Sequence, residues 1–217
     1  MSWDWQFALD VLPDVLRAFV RYTLVATILG TALAAVLGLA FAIIRRARVP
    51  VLTPVVGILV EFIRSTPLLV QLFFLYFVLP EFGITLPALT VGVLGLGVHY
   101  ACYLSEVYRA GIEGVPKGQW EACAALSLPA RLQWQHVVLP QAIRNVLPAL
   151  GNYAISMFKE TPFLALITVP EMVQRSQAIG SITFRYLEPI TLAGLIFLLA
   201  SYPTALALRR LETRLGH

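Results

Sequence analysis

Charge is scarce in this sequence. Lys, Arg, Asp and Glu make up 13% of its 217 residues, about half of what soluble domains carry. Apolar residues reach 59% and the mean hydropathy is +0.79. A soluble fold of this length has too little interior to hide so much apolar surface, so the composition excludes that class and points to an integral membrane protein. Cysteine is nearly absent. Cys102 and Cys123 make no disulfide framework and read as small packing residues. The net charge of +4 is small and spread along the chain, whereas nucleic-acid binding needs basic residues gathered on one face. No G-x-x-x-x-G-K-[ST] loop is present, so the chain lacks the usual means of cradling a nucleotide phosphate. It also lacks H-E-x-x-H spacing, and His99 has no second His near it. These gaps count against an intramembrane enzyme and against a metal site. No internal repeat, low-complexity tract or soluble domain stands out.

What the chain does have is long uncharged runs. Tyr22 to Ile44 gives 23 uncharged residues, enough to cross about 30 Å of hydrocarbon. The N-terminal stretch MSWDWQFALDVLPD is acidic, and Arg45 and Arg46 close the run. It is therefore expected to stay as a spanning helix rather than act as a cleaved signal. Gly30, Ala34, Gly38 and Ala42 fall four apart. Such a stripe lets another helix approach closely, either within the subunit or in a neighbouring one. Residues 52–64 read as a helix near the inner interface, and residues 66–80 as a second crossing bent at Pro67. Residues 88–108 read as a third. A fourth is expected from near Gln141 to about Ile167, interrupted at Lys159, Glu160 and Pro162. Residues 170–188 read as a polar, outward segment, and Pro189 to Leu208 as a fifth crossing. Lys and Arg gather on one side of these spans, among them Arg45, Arg46, Arg48, Arg131, Arg144, Arg209 and Arg210. The positive-inside rule then places the N-terminus outside and the C-terminus in the cytosol.

Between the third and fourth spans lies a polar insert, residues 109–140. KGQWEACAAL favours a helix opened by Pro116. Ser127-Leu128-Pro129 breaks it, and ARLQWQHVV makes two further turns that Leu139-Pro140 is expected to end. A smooth small-residue helix of this kind either seats in a groove on a partner or lies on lipid.

The insert resembles the EAA motif of ATP-binding-cassette importer permeases, EAA-x3-G-x9-I-x-LP. Here the motif reads Glu121-Ala122-Cys123, then Ser127, then Val137-Val138-Leu139-Pro140. The spacing is kept, with Cys for the second Ala, Ser for Gly and Val for Ile. If the family Gly serves a positive φ, Ser127 would be strained there. EFIRSTPLLVQLFFLYF, EVYRAGIEGVPKGQWEA, LPQAIRNVLPALGNY and FKETPFLALI resemble the polar-amino-acid uptake branch. MSWDW, GLGVHYA and ITFRYLEPITLAGLIFLL are closer still to the ectoine/hydroxyectoine permeases.

The resemblance implies an all-α, five-span type I importer permease of MetI-like fold. It implies one permease domain over residues 1–217, with a core of about 18–210. The subunit would work as a homodimer or with a sister subunit. The insert would couple to a cytosolic ATPase dimer through Glu121, Ala122, Cys123, Ser127, Val137, Leu139 and Pro140. ATP and Mg would bind that ATPase and not this chain, and an extracytoplasmic binding protein would deliver the solute. Ectoine or hydroxyectoine is the favoured solute. Glutamine, histidine or arginine is the alternative, and a passive channel a distant one. The implied home is the bacterial inner membrane, in contact with lipid.

Ionisable groups at membrane depth need named partners. Glu61 and Arg64, like Glu106 and Arg109, are three apart and can pair on a helix face as gates or structural pairs. Lys159, Glu160 and Thr161 meet Pro162, where a broken helix at depth suits a cavity wall. A zwitterionic solute needs one cationic and one anionic contact, so these residues, with Tyr100 and Tyr103, are candidates to line a pathway. Structural pairing is the competing reading.

Overall fold

The computed structural model describes residues 3–215. Met1, Ser2, Gly216 and His217 lie outside them, so the first two residues of the MSWDW resemblance and the outer limits of the 1–217 domain are not tested structurally. Among the described residues the regular structure is helical, with no strand.

Asp4 starts the first helix by accepting the backbone N–H groups of Gln6 and Phe7 at 3.0 and 3.1 Å, as an N-cap residue does. Helix α1 (Trp5–Ala18) runs through a π-helical turn (Phe19–Leu24) into α2 (Val25–Ala47). The first spanning helix is thus not confined to Tyr22–Ile44; it is part of a 43-residue rod. The small-residue stripe of α2 is buried along its length, at Ala26, Gly30, Ala34, Gly38 and Ala42. It forms the seam against α5 (Ala88–Glu113), so the stripe serves packing within the chain. A Cβ on Gly38 would stand 2.9 Å from the Ala101 carbonyl oxygen and from Leu104 Cβ, closer than atoms in a packed interior lie.

Helix α3 (Leu52–Arg64) agrees with the sequence expectation. At the expected crossing 66–80, helical backbone runs unbroken from Leu68 to Phe82, as α4 (Leu68–Phe73), a π turn (Phe74–Val78) and a 3₁₀ turn (Leu79–Phe82). The pair α3 and α4 bends by 106°. Pro67 explains the break, because it cannot donate to the preceding turn and it forces Thr66 out of helical geometry.

Helix α5 runs to Glu113, past the expected end at residue 108, so the insert's first residues are the last turn of a spanning helix. Then come α6 (Lys117–Ala125), α7 (Ala130–Leu132), a π turn (Gln133–Val138) and α8 (Leu139–Glu160). Leu139-Pro140 therefore does not end the second helix of the insert. Pro140 falls in the first turn of α8, where a missing N–H is tolerated, and helical backbone continues from Ala130 to Glu160. After α8 the chain tightens into a 3₁₀ helix (Thr161–Ile167), so the helix changes at the interruption expected at Lys159, Glu160 and Pro162 and reaches the expected Ile167. The outward segment is partly helical, as α9 (Met172–Thr183), and α10 (Leu187–Leu215) closes the fold.

The main core lies between α2, α4, α5, α8 and the 3₁₀ helix, with Leu72, Leu96, Leu104, Met157 and Leu164 buried. Apolar surface remains exposed elsewhere, for example Leu198 at 57% and Leu199 at 70% on α10. That is what lipid-facing helices require. Among the described residues three helices are long and apolar enough to cross a membrane: Trp5–Ala47, Ala88–Glu113 and Leu187–Arg214. A fourth is added if the bent pair is one span. The expected count of five is therefore not confirmed. Helix α8 is long enough at 22 residues but carries Arg144, Asn145, Asn152, Lys159 and Glu160.

Candidate functional site

Two regions gather the polar groups. One is a cavity of about 360 Å³ whose wall includes Arg64, Pro67, His99, Tyr103, Glu160 and Phe163. That is within the range of roughly 300–1,000 Å³ common for ligand sites. The break at Pro67 and the end of α8 at Glu160 are what open it. Gln71 ties the α3–α4 corner together by donating to the carbonyls of Ile63 and Thr66 at 2.8 and 3.1 Å. Its Oε1 lies 3.1 Å from His99 Nδ1. Tyr100 donates to Glu160 at 2.8 Å, and the rings of Tyr100, Tyr103 and Tyr153 pack within 6.3 Å of each other. The Arg64 guanidinium sits 5.5 Å from the Tyr103 ring centroid, a cation–π distance. Its Nε is buried and has no acceptor among the described residues.

The cation and anion on this wall are Arg64 and Glu160. Lys159 is exposed and does not line the cavity. Thr161 is buried and donates to the Phe158 carbonyl at 2.8 Å, which satisfies the end of α8. Tyr103 is on the wall and Tyr100 reaches it through Glu160.

Next to the cavity is an ion-pair cluster. Glu61 and Arg64 pair at 3.5 Å, and Glu106 and Arg109 at 2.8 Å, as their spacing suggested. Sequence spacing did not reveal that the cluster is one. Arg45 donates to Glu106 Oε1 within hydrogen-bond distance. Arg64 stands 3.9 Å from the same oxygen, and Arg109 also reaches Glu113 at 2.7 Å. Gln71 was missed too, although an amide inside the run LLVQLFFLYF is itself a signal, since polar groups at depth need partners.

The second region is the insert. Glu121, Ala122, Ala124, Ala125, Leu126 and Ser127 are exposed, while Cys123 is buried. Helix α6 ends with the Ser127 N–H on the Ala124 carbonyl at 2.9 Å and the Leu128 N–H on the Cys123 carbonyl at 3.0 Å. This double bond pattern is a Schellman ending, whose C′ residue is left-handed and usually Gly. Ser127 takes that position at φ 50°. Behind the exposed face, Trp120 and Trp134 meet edge to face at 5.7 Å. Val115, Val138 and Ala142 form a small core beside them. Val137 is half-buried, and Leu139 and Pro140 are exposed.

Comparison with known proteins bears on both regions. Residues 34–217 match the family model described as "Binding-protein-dependent transport system inner membrane component". The chain is 45% identical over 209 residues to the probable amino-acid ABC transporter permease protein y4tG of Sinorhizobium fredii, covering 96% of this chain and 90% of that one. It is 36% identical to the probable glutamine ABC transporter permease protein GlnP of Bacillus subtilis, covering 88% and 89%. In the crystal structure of an amino acid ABC transporter with histidines, a 33% identical chain superposes with a TM-score of 0.92 over 99% of this chain and 100% of that one. These names are of amino-acid transporters. They back the amino-acid alternative over the ectoine expectation, which rested on general likeness alone.

Proposed function

Because this chain belongs to the binding-protein-dependent transport system inner membrane component family, we propose that it is the permease subunit of an ATP-driven importer that carries a polar, zwitterionic amino acid into the cytosol. The observation that carries the solute class is the joint presence of Arg64 and Glu160 on one cavity wall. A solute carboxylate would face the guanidinium, which offers a planar fork of donors, and a solute ammonium would face Glu160, held in place by Tyr100. His99 and the Tyr103 ring, on the same wall, would face the solute side chain. In this reading the whole chain is one permease domain. A second copy or a sister subunit completes the pathway, and an external binding protein supplies the solute. ATP and Mg act on a separate ATPase dimer. The exposed face of α6 docks on that ATPase, with Glu121 at its rim and residues 109–140 as the coupling insert. The Glu61, Arg64, Glu106 and Arg109 pairs sit where a gate would lie, beside the cavity.

The test is uptake by cells making the complete importer, with labelled glutamine, histidine, arginine and cystine, and with ectoine as the competitor. Saturable uptake of one of the amino acids, lost in Glu160→Gln, is the expected result. Preferred uptake of ectoine would overturn the amino-acid reading. Glu121→Lys is expected to leave insertion intact and to uncouple uptake from ATP. Unchanged uptake together with unchanged copurification of the ATPase would remove the docking role.

A further inference from the structure

Arg45 and Arg46 are consecutive residues in the last turn of α2, and each holds a different part of the molecule. The Arg46 guanidinium lies 4.9 Å from the Trp134 ring centroid and 5.7 Å from that of Trp120. Trp120 precedes Glu121 on α6, and Trp134 is on the returning strand of helix, so one cation clasps both arms of the insert from behind. Arg45 donates to Glu106 Oε1, the oxygen from which Arg64 stands 3.9 Å away. Arg64 in turn lines the cavity. Neighbours on a helix point about 100° apart, which lets one rigid turn serve both contacts.

We propose that this last turn of α2 is the mechanical link between the docking insert and the cavity, with Arg46 as the positioning residue that makes the insert's movement felt at Arg64. The two-state element is Glu106 Oε1. Arg45 holds it in this structure, and a shift of α2 along its seam with α5 hands it to Arg64. Arg64 then swings with Glu106 and leaves the solute. Coupling of this kind needs a discrete element that both sites bias, and Glu106, hydrogen-bonded by Arg45 and 3.9 Å from Arg64, is assigned that part. The link rests on the permease reading above.

The test uses the importer complex with its ATPase in lipid nanodiscs. A reporter thiol is placed on the cavity wall by Ser65→Cys, an exposed position there. Its labelling rate with a water-soluble maleimide is measured without nucleotide and with Mg-ATP plus vanadate. Cys102 and Cys123 are buried, and their background is measured in the chain without the added thiol. The parent is expected to change labelling rate about fivefold or more on nucleotide trapping, the lower end of usual coupling between sites. Arg46→Ala is expected to abolish that change while ATPase copurification and basal hydrolysis stay as in the parent. Arg46→Lys, which keeps a cation for the two rings, is expected to restore most of it. Trp134→Leu tests the same contact from the other side if the Arg46 variant does not assemble, and the double variant should lose no more than either single one. A full nucleotide response in both Arg46→Ala and Trp134→Leu overturns the link. A parent whose labelling ignores nucleotide, or that keeps no ATPase, overturns the permease reading itself and the link with it.

Discussion

Ser127 carries a residue-level cost in the middle of the exposed face of the insert. At φ 50° the Cβ of an L-residue crowds the following carbonyl, at roughly 1–2 kcal/mol, which glycine escapes. Ser127→Gly is expected to raise the thermal midpoint of the purified chain by about 2–4 °C, the shift that about 1 kcal/mol makes at this size. An unchanged or lower midpoint by circular dichroism in detergent would show that the turn stores no strain. The turn's place was legible from Pro129 and the small residues before it. Its handedness was not, because a serine alone does not announce a left-handed backbone. Glu171 was silent in the sequence for a related reason, since its burial is a tertiary fact. It caps α9 by accepting the Val173 and Gln174 N–H groups at 2.9 and 2.7 Å. Burial pushes its carboxyl up to about 7 against those two donors. An unfolded carboxyl titrates near 4.5, so between these values the folded chain keeps a proton that the unfolded chain has released. The stability linked to this proton is whole below pH 4.5 and is lost as pH rises to 7. In thermal melts the wild type should therefore lose ground to Glu171→Gln over that window. A difference that stays constant with pH would show that the carboxyl does not titrate there.

At the scale of elements, the α2–α5 seam was readable because its period matched a helix: four small residues, four apart, end up buried together. The seam makes a sharp contrast testable. Gly38→Leu must push a side chain against the Ala101 carbonyl and Leu104, and overpacking of this sort costs about 1–3 kcal/mol. Gly57, on α3, has nothing within 4 Å of a built Cβ. Gly57→Ala should be neutral or stabilising by up to about 1 kcal/mol, from helix propensity alone. Equal losses in the two variants, measured by thermal unfolding in one detergent, would mean that α2 does not lean on α5 as closely as it does here. The π turns at 19–24, 74–78 and 133–138 had no such signal. A widened turn keeps apolar residues on nearly the same face, so composition does not reveal it. Leu139-Pro140 read as a stop because Pro commonly ends a helix, yet Pro140 falls in the first turn of α8, where its missing N–H is tolerated.

At the scale of the whole molecule, what the sequence could not supply was which distant groups meet. Arg45 reaches Glu106, and Tyr100 reaches Glu160, across 61 and 60 residues of chain, and no local period encodes such meetings. The number of crossings is a problem of the same kind, and parity makes it testable. Among the described residues three helices qualify by length and composition, so the bent pair α3–α4 and the polar helix α8 decide the count. If both cross, there are five spans and the termini face opposite sides; if only one crosses, there are four and they face the same side. Five crossings are the expected outcome. Asp4 meets Arg185 at 3.1 Å, and its N–H meets Glu188 at 3.1 Å, at one end. Arg46 meets Trp120 and Trp134 at the other. Between them α8 rises about 30 Å from Gln141, whose Nε2 lies 3.5 Å from Gln119, to Glu160. Its polar groups are tolerable because Glu160 faces the cavity and Asn145 donates to the Gly111 carbonyl at 3.2 Å. With Lys and Arg biased to the Arg46 end, that end is expected in the cytosol. Reporters that work on one side only, inserted at Gly83, Gly118 and Ser181 and fused to each terminus, should read outside, inside and outside, with the N-terminus outside and the C-terminus inside. A cytosolic signal at Gly83 would make α3–α4 re-entrant. A cytosolic signal at Ser181 would take α8 out of the membrane, and it would separate the Glu160 wall of the cavity from any path across it.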